Sequence, residues 1–567
     1  MAKRLIVILS VLTFFFSESQ SRSITDNNHL RELVALKGQA RIITTVQNSK
    51  TIAELSRSVS ISSVKGKSVE IVISPLTLDW FIAQDINYQI IESDDSKKVM
   101  TATGFNQAIG WDLYPTYSQY DSIMQSFSTL YPSLCHLDTI GTTINGKLVL
   151  ALKISDNAGT DEDEPETFYS STIHGDEIGG FVLMLRLADY LLKNYPTDTR
   201  VTNLIDNLEI WINPLANPDG TYRNGDTIIS PTRDNATGYD LNRNFPDPDP
   251  GAPHYPIQRE TIDMIKFMRS HHFVLSANFH SGAEVVNYPW DRWDRLHADN
   301  DWFYSISRKY ADTVHANSVP GYMTDLDNGI TNGADWYVIY GGRQDFVTYE
   351  LQGREVTIEL DDAHITPAAN LNSLWQYNWR SLLGYLGNAL FGIHGHIKDG
   401  ESQSPVPARI FITGYDKDSS HIYSDTLTGS FIRFLAPGTY NLLITANGYI
   451  DKTVNVVVTD GQNTELTIEM VSIMNPIDSI ETPVLRLYPN PASDFLQVIL
   501  PDRQSGLIHV RIYNMVGMIM RDYYENTSEK IPVLIDVNNL SGGLYSLIIT
   551  NTSTNLTDRS RFVVVRR

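Results

Sequence analysis

Across residues 111–391, short runs rich in apolar residues alternate with stretches whose apolar positions recur every three to four residues. The runs 168–173, 208–212 and 273–279 are rich in apolar and β-branched residues without a strict alternation, which predicts strands buried on both faces of a sheet. The segments 178–195 and 257–268 carry the helical period between them. This alternation predicts an α/β domain over 106–391, with a mixed, mostly parallel sheet and helices on both faces. Upstream, 69–74 alternates like a strand and is followed by a helix-like stretch ending near 87–91. Residues 22–105 therefore read as a small α+β unit, a candidate pro-region.

Beyond residue 391 the helical period disappears. Short alternating runs such as 408–413 and 508–513 are punctuated by Gly, Pro, Asp and Asn. Two all-β sandwich modules fit, at 392–472 and 484–567, joined by a linker at 473–483 that contains Asn475, Pro476 and Pro483.

Composition sharpens this outline. A chain of 567 residues with 42% hydrophobic content can bury several cores. Its net charge of −22 excludes the clustered basic surface that phosphate binding needs, so no nucleic-acid partner is expected. Residues 1–21 place Lys3 and Arg4 ahead of an apolar run over 5–16, then Ser17, Ser19 and Ser21. That order is a signal-peptide layout with cleavage near Ser21. The run falls short of the about 20 residues that a membrane span requires, the alternative being a short N-terminal anchor. No transmembrane segment is expected elsewhere. The single cysteine, Cys135, lies among apolar residues and reads as a buried, inert thiol.

Candidate chemistry begins at His174-Gly175-Asp176-Glu177, directly after the predicted strand 168–173. Strand ends of an α/β sheet are where ligand sites form, and an imidazole and a carboxylate three residues apart can reach one ion. His280 follows the run 273–279 and is placed to supply a third ligand. Three protein ligands leave a fourth position open, as in a catalytic zinc site. His271 and His272 precede that run and belong to its opposite end, as solvated or capping residues. Arg233 and Arg243 lie in a Gly/Asn/Asp-rich loop; an arginine there is either a surface ion pair or a fork that binds a peptide's terminal carboxylate. Glu359 sits inside the apolar run 356–360, where a charge is costly unless paired or functional, and a general base is the functional reading.

Taken together these blocks resemble the zinc metallocarboxypeptidase family, and most closely its regulatory branch with carboxypeptidases N, E, M and D. The resemblance rests on 174–177, Asn-Pro-Asp-Gly at 217–220, Asp-Leu-Asn-Arg-Asn-Phe-Pro-Asp at 240–247, and the blocks 278–291, 332–346 and 355–360. It implies one Zn²⁺ held by His174, Glu177 and His280, and a substrate carboxylate bound by Asn242 and Arg243. It further implies Arg233 at the oxyanion, Tyr337 closing over the terminal residue, Glu359 as catalytic glutamate and Asp240 orienting a ligand histidine. Asp291 and Gln344 match the regulatory branch, where an acid at the pocket floor would select C-terminal Lys or Arg. Residues 392–472, with Ala436-Pro437-Gly438 and Gly448-Tyr449, resemble a transthyretin-like domain. Residues 484–567, with Leu487-Tyr488-Pro489-Asn490-Pro491 and Gly542-Gly543-Leu544-Tyr545, resemble the C-terminal sorting domain of the type IX secretion system.

The expectation is therefore a secreted or cell-surface hydrolase acting on peptide or protein C-termini, with the secretion machinery as a partner of its last module. The alternatives are a zinc peptidase of cell-wall peptides and a catalytically silent peptide-binding or adhesive protein.

Overall fold

The computed structural model describes residues 27–91, 99–473, 485–500, 506–515, 517–527 and 532–566, and every count below refers to those residues. The expected signal segment, 1–21, and most of the linker at 473–483 lie outside them.

The first unit carries four antiparallel strands, β1 (Ala40–Thr45), β2 (Ser60–Lys65), β3 (Ser68–Ile73) and β4 (Tyr88–Ile91), in the order β2-β3-β1-β4. Alternate residues point inward, and Ile42, Ile61 and Ile71 pack with Leu30 and Val34 of the helix Asn27–Lys37. One expectation is corrected here. The stretch 87–91 is not the end of a helix: the helix Leu78–Ala83 stops, Asp85 adopts a left-handed φ of 51°, and Tyr88–Ile91 pairs with β1. Three of its four residues are aromatic or β-branched, which suits a pleated surface.

The central unit is an eight-stranded sheet of β5 (Cys135–Thr142), β6 (Leu148–Ile154), β7 (Glu166–Ser171), β8 (Glu209–Asn213), β9 (Phe273–His280), β10 (Ala283–Tyr288), β11 (Ile330–Asn332) and β12 (Arg354–Asp361). Its order is β11-β10-β12-β9-β7-β8-β6-β5; the pairs β7·β8, β7·β9, β9·β12 and β10·β11 are parallel and the rest antiparallel. Every residue of β7 and β9 is buried, because helices cover both faces. Neighbouring residues of β7 show the division. Tyr169 joins a core with Phe181, Phe303 and Leu382, whereas Phe168 faces Phe267, Phe273 and Phe346 on the other side. Burying a side chain of this size contributes about 1.5–3 kcal/mol. Cys135 is buried, and that burial pushes its thiol up to about 12.

Two β modules follow. In the first, a three-stranded and a four-stranded sheet share a core of Ile393, Ile410, Leu442, Val456 and Ile468. In the second, another three-plus-four arrangement closes over Leu496, Val510, Leu547 and Phe562. The first module is pinned to the central unit by a fully buried ionic cluster. Arg433 donates to Asp299 at 2.8 Å and to Asp416 at 2.7 Å, and Arg354, the first residue of β12, donates to the same Asp299 at 2.9 Å. Among the described residues no helix is long and apolar enough to cross a membrane.

Candidate metal centre

β7 and β9 are parallel neighbours, with Ser171 opposite Phe279, so their carboxyl ends open at one place. His174 lies three residues beyond β7 and His280 is the last residue of β9, while Glu177 precedes the helix Gly179–Asn194. The loop that carries His174 packs tightly. A Cβ on Gly175 would stand 2.6 Å from Gly220 Cα, so only glycine fits. The block 217–220 is the buttress: Asn217 accepts from Gly220 N at 2.9 Å and donates to Ile173 O at 3.2 Å.

His174, Glu177 and His280 converge. His174 Nδ1 lies 2.8 Å from Glu177 Oε1, His280 Nδ1 lies 2.8 Å from Glu177 Oε2, and the two Nδ1 atoms are 3.1 Å apart. The other nitrogen of each ring is engaged elsewhere, His174 Nε2 with Asp240 Oδ1 at 3.0 Å and His280 Nε2 with the Asn278 amide at 2.8 Å. Turning that amide over would give its partnerless Oδ1 to the imidazole N–H. With Nε2 of His174 donating to Asp240, its Nδ1 presents a lone pair toward a carboxylate, an arrangement that calls for a cation between them. Two imidazoles and one carboxylate are a donor set that suits zinc. Burial lowers His280 to about 4, which keeps that ring neutral as a ligand must be. Burial by itself would raise Glu177, but the two imidazoles hold it well below the usual carboxylate range.

Around this centre the other predicted residues gather. Arg233 donates through Nε to Asp240 at 2.9 Å and through Nη1 to Glu177 at 3.0 Å. Burial works against its charge, yet those two carboxylates raise its pKa above the ordinary arginine value. Glu359 stands opposite His280 in the β9·β12 ladder. Burial and the neighbouring charge of Glu177 raise its carboxyl well above the usual range, and its Oε2 has no hydrogen-bond partner.

A second cluster surrounds Asp291. Asp291 Oδ1 accepts from Asn287 at 2.8 Å and from Gln344 at 3.1 Å, and a Cβ on Gly333 would fall 2.0 Å from the same oxygen. Burial pushes Asp291 up to about 6, opposed by the bond from Asn287. Asp345 holds the loop in place by accepting from the backbone N–H groups of Asp291 and Arg292 at 3.0 and 2.8 Å. Asn242 accepts from Arg343 N at 2.9 Å and its own N–H is capped by Asp240 at 2.9 Å, and the next residue, Arg243, lies near enough to Asp291 for its charge to act on that carboxyl.

The first unit sits on this cleft. Ile61, in β2, offers its backbone carbonyl to Arg243 Nη2 at 3.3 Å and to the Tyr337 hydroxyl at 3.4 Å. Gln39 accepts from Arg233 N at 2.7 Å, and Tyr337 and Ile339 are built into the first unit's core. Arg41 reaches Asp176 at 2.6 Å and His364 at 2.9 Å. Sequence reasoning missed Asp176, His364 and Arg41. Asp176 could have been flagged by its place between two ligands; nothing in the sequence singles out the other two. His271 and His272 lie at the far end of β9, as expected. His271 bonds Phe267 O at 2.8 Å at the end of the helix Arg259–Arg269, and is partly buried, not solvated.

Comparison with known proteins now bears on this arrangement. A sequence profile described as zinc carboxypeptidase matches residues 120–381, and one described as a secretion system C-terminal sorting domain matches 486–564. Carboxypeptidase D of Homo sapiens is 34% identical over 364 residues, which cover 60% of this chain and 26% of that protein, so the chain spans about a quarter of its length. The carboxypeptidase N catalytic chain of Rattus norvegicus is 32% identical over 386 residues, covering 60% of this chain and 83% of that one. The crystal structure of carboxypeptidase A from Helicoverpa armigera superposes with a TM-score of 0.51 at 18% identity, over 62% of this chain and 97% of that one, and so shares its fold.

Proposed function

Because the chain belongs to the zinc carboxypeptidase family, we propose that it hydrolyses the last peptide bond of peptides and proteins and releases basic terminal residues. The observation that carries the basic preference is Asp291, a buried carboxylate held by Asn287 and Gln344 next to the Arg243 and Tyr337 pair. An acid there pairs with a Lys or Arg side chain of the leaving residue.

His174, Glu177 and His280 would hold a zinc ion, which would supply a Lewis acid and lower the pKa of a water toward about 7. The chain's own residues do the rest. Arg243, with Asn242 beside it, binds the substrate's terminal carboxylate through its planar fork, and its Nε is buried with no partner among the described residues. Tyr337 closes over the terminal residue. Arg233 is a fixed cation beside the triad, where negative charge develops on the scissile carbonyl oxygen. Glu359 takes a proton at its carboxylate from the attacking water and hands it to the leaving amine. Asp240 holds the His174 ring in one tautomer and orientation.

In the full chain the Ile61 carbonyl takes the hydrogen bonds a substrate carboxylate would take, so the first unit acts as an inhibitory pro-region and the full chain is latent until that unit leaves. Export through the signal segment and the sorting module puts the protein outside the cell or at its surface. End-group analysis on peptides that differ only in the last residue, with and without a zinc chelator, tests the reading. Release of Lys and Arg that stops on chelation is expected. Faster release of Phe or Leu, or preference for cell-wall peptides ending in diaminopimelate, would overturn the stated specificity.

A further inference from the structure

Close to Asp291 lies an ion pair that the chemistry above does not use. Arg343 and Glu355 are fully buried, and Arg343 Nη2 donates to Glu355 Oε2 at 3.0 Å. Ser276, opposite Glu355 in the β9·β12 ladder, donates to the same oxygen at 2.8 Å. The guanidinium lies over the Phe168 ring at 4.9 Å, and its Nε and Nη1, like Glu355 Oε1, have no partner among the described residues. A buried pair of this kind is weak evidence for stability, since well-packed apolar side chains of similar volume do as well. Its position gives it another use. Arg343 opens the helix Arg343–Glu350, between the Asn242 side chain, which takes its backbone N–H, and Gln344, which donates to Asp291. Glu355 lies four residues before Glu359 on the same face of β12, because the side chains of a strand alternate.

We propose that the Arg343–Glu355 pair determines specificity at Asp291: the charge that Arg343 keeps on Glu355 sets the acid limit below which Asp291 stops selecting a terminal Lys or Arg. Both members are enclosed by protein and act through Asp291, as positioning residues. Burial is the chief cause that lifts Asp291 to about 6; the Glu355 charge adds to it, and Asn287 and Arg243 oppose both. Asp345 on the helix, Tyr337 at the end of the helix Gly333–Trp336 and Glu359 on β12 feel the Asp291 charge in turn. Burial raises Glu355 as well, while Arg343 and Ser276 hold it down. Without the guanidinium, a carboxylate enclosed in this way takes a proton, because burial penalises the charged form. Removing either member of the pair therefore takes a negative charge away from Asp291, which then stays ionised to lower pH.

This inference rests on the basic preference proposed above and deepens it. The full chain is activated by limited proteolysis, the protease is removed, and kcat/KM is measured across the acid and neutral range on peptides that end in Lys or Phe and are otherwise identical. Taking the ratio cancels acid effects on the metal centre that both substrates share. The parent's ratio should rise with a midpoint near pH 6, where Asp291 ionises. In Arg343→Met, Glu355→Gln and the double variant the midpoint should fall by about half a pH unit or more, whereas Arg343→Lys, which keeps a cation against Glu355, should hold the parent's midpoint. The double variant strands no buried charge, so a merely structural pair predicts for it both the melting temperature and the midpoint of the parent. A parent midpoint in the folded double variant, or a midpoint in Arg343→Lys as low as in Arg343→Met, would overturn the proposal alone. So would failure of every variant to bind zinc, which would assign the pair to folding. A parent that favours Lys over Phe at no pH would sink the basic preference and this inference with it.

Discussion

Glu359 and His280 face each other across a parallel strand pair, so a carboxylate with an unpartnered oxygen is fixed beside an imidazole of the metal centre by backbone register. Strands hold such a pair more accurately than loops do. Glu359→Gln keeps the shape and removes the base. It should lower kcat by about 10²–10⁴-fold while zinc content, measured by atomic absorption, stays at the parent level.

The raised pKa of Asp291 gives the specificity a pH signature. The carboxyl is charged above about 6 and neutral below it, so it can pair with a terminal Lys or Arg only on the alkaline side. The ratio of kcat/KM for Lys-terminated over Phe-terminated peptides should rise through about pH 6 to a plateau. Asp291→Asn should flatten that profile at a ratio at least about tenfold lower than the plateau, as loss of one charged hydrogen bond implies.

Latency should weaken when the first unit's grip is loosened. Arg41→Ala leaves Asp176 and Glu70 facing one another without their shared cation. Hydrolysis by the intact full chain should rise about tenfold, and residues 27–91 should be cut sooner in limited proteolysis. Unchanged latency together with unchanged proteolysis would show that Arg41 does not hold the unit down.

The buried cluster at Asp299 predicts a stability effect remote from the chemistry. Arg433→Ala strips the carboxylates of Asp299 and Asp416 of a shared, fully buried partner. Removing one member of such a cluster costs about 3–5 kcal/mol, and the urea midpoint should fall accordingly.

Much of this centre was legible in the sequence because its parts sit where periodicity changes. The apolar run before His174 and the one before His280 became β7 and β9, and the two strand ends meet as expected. Gln344 and Asp291, named from the same resemblance, are in contact. What could not be read were encounters between units. Arg41 and Ile61 lie on strands that alternate in an ordinary way, and their meeting with the cleft depends on the order β2-β3-β1-β4, which leaves no mark in periodicity. The stretch 87–91 was misread because a break at Asp85 hides inside a short apolar segment.

The atom of Ile61 that fills the carboxylate clamp belongs to the main chain. Every residue type carries that same oxygen, so no exchange of side chain at position 61 turns it into a donor, and a substitution there acts on the plug only through the core in which the Ile61 side chain packs. Release has to come from moving a whole strand, by cutting the chain or by loosening the surfaces around it. The lock's chemistry is thus indifferent to the side chain at its tip, and mutation reaches it through the packing and contacts that seat the strand.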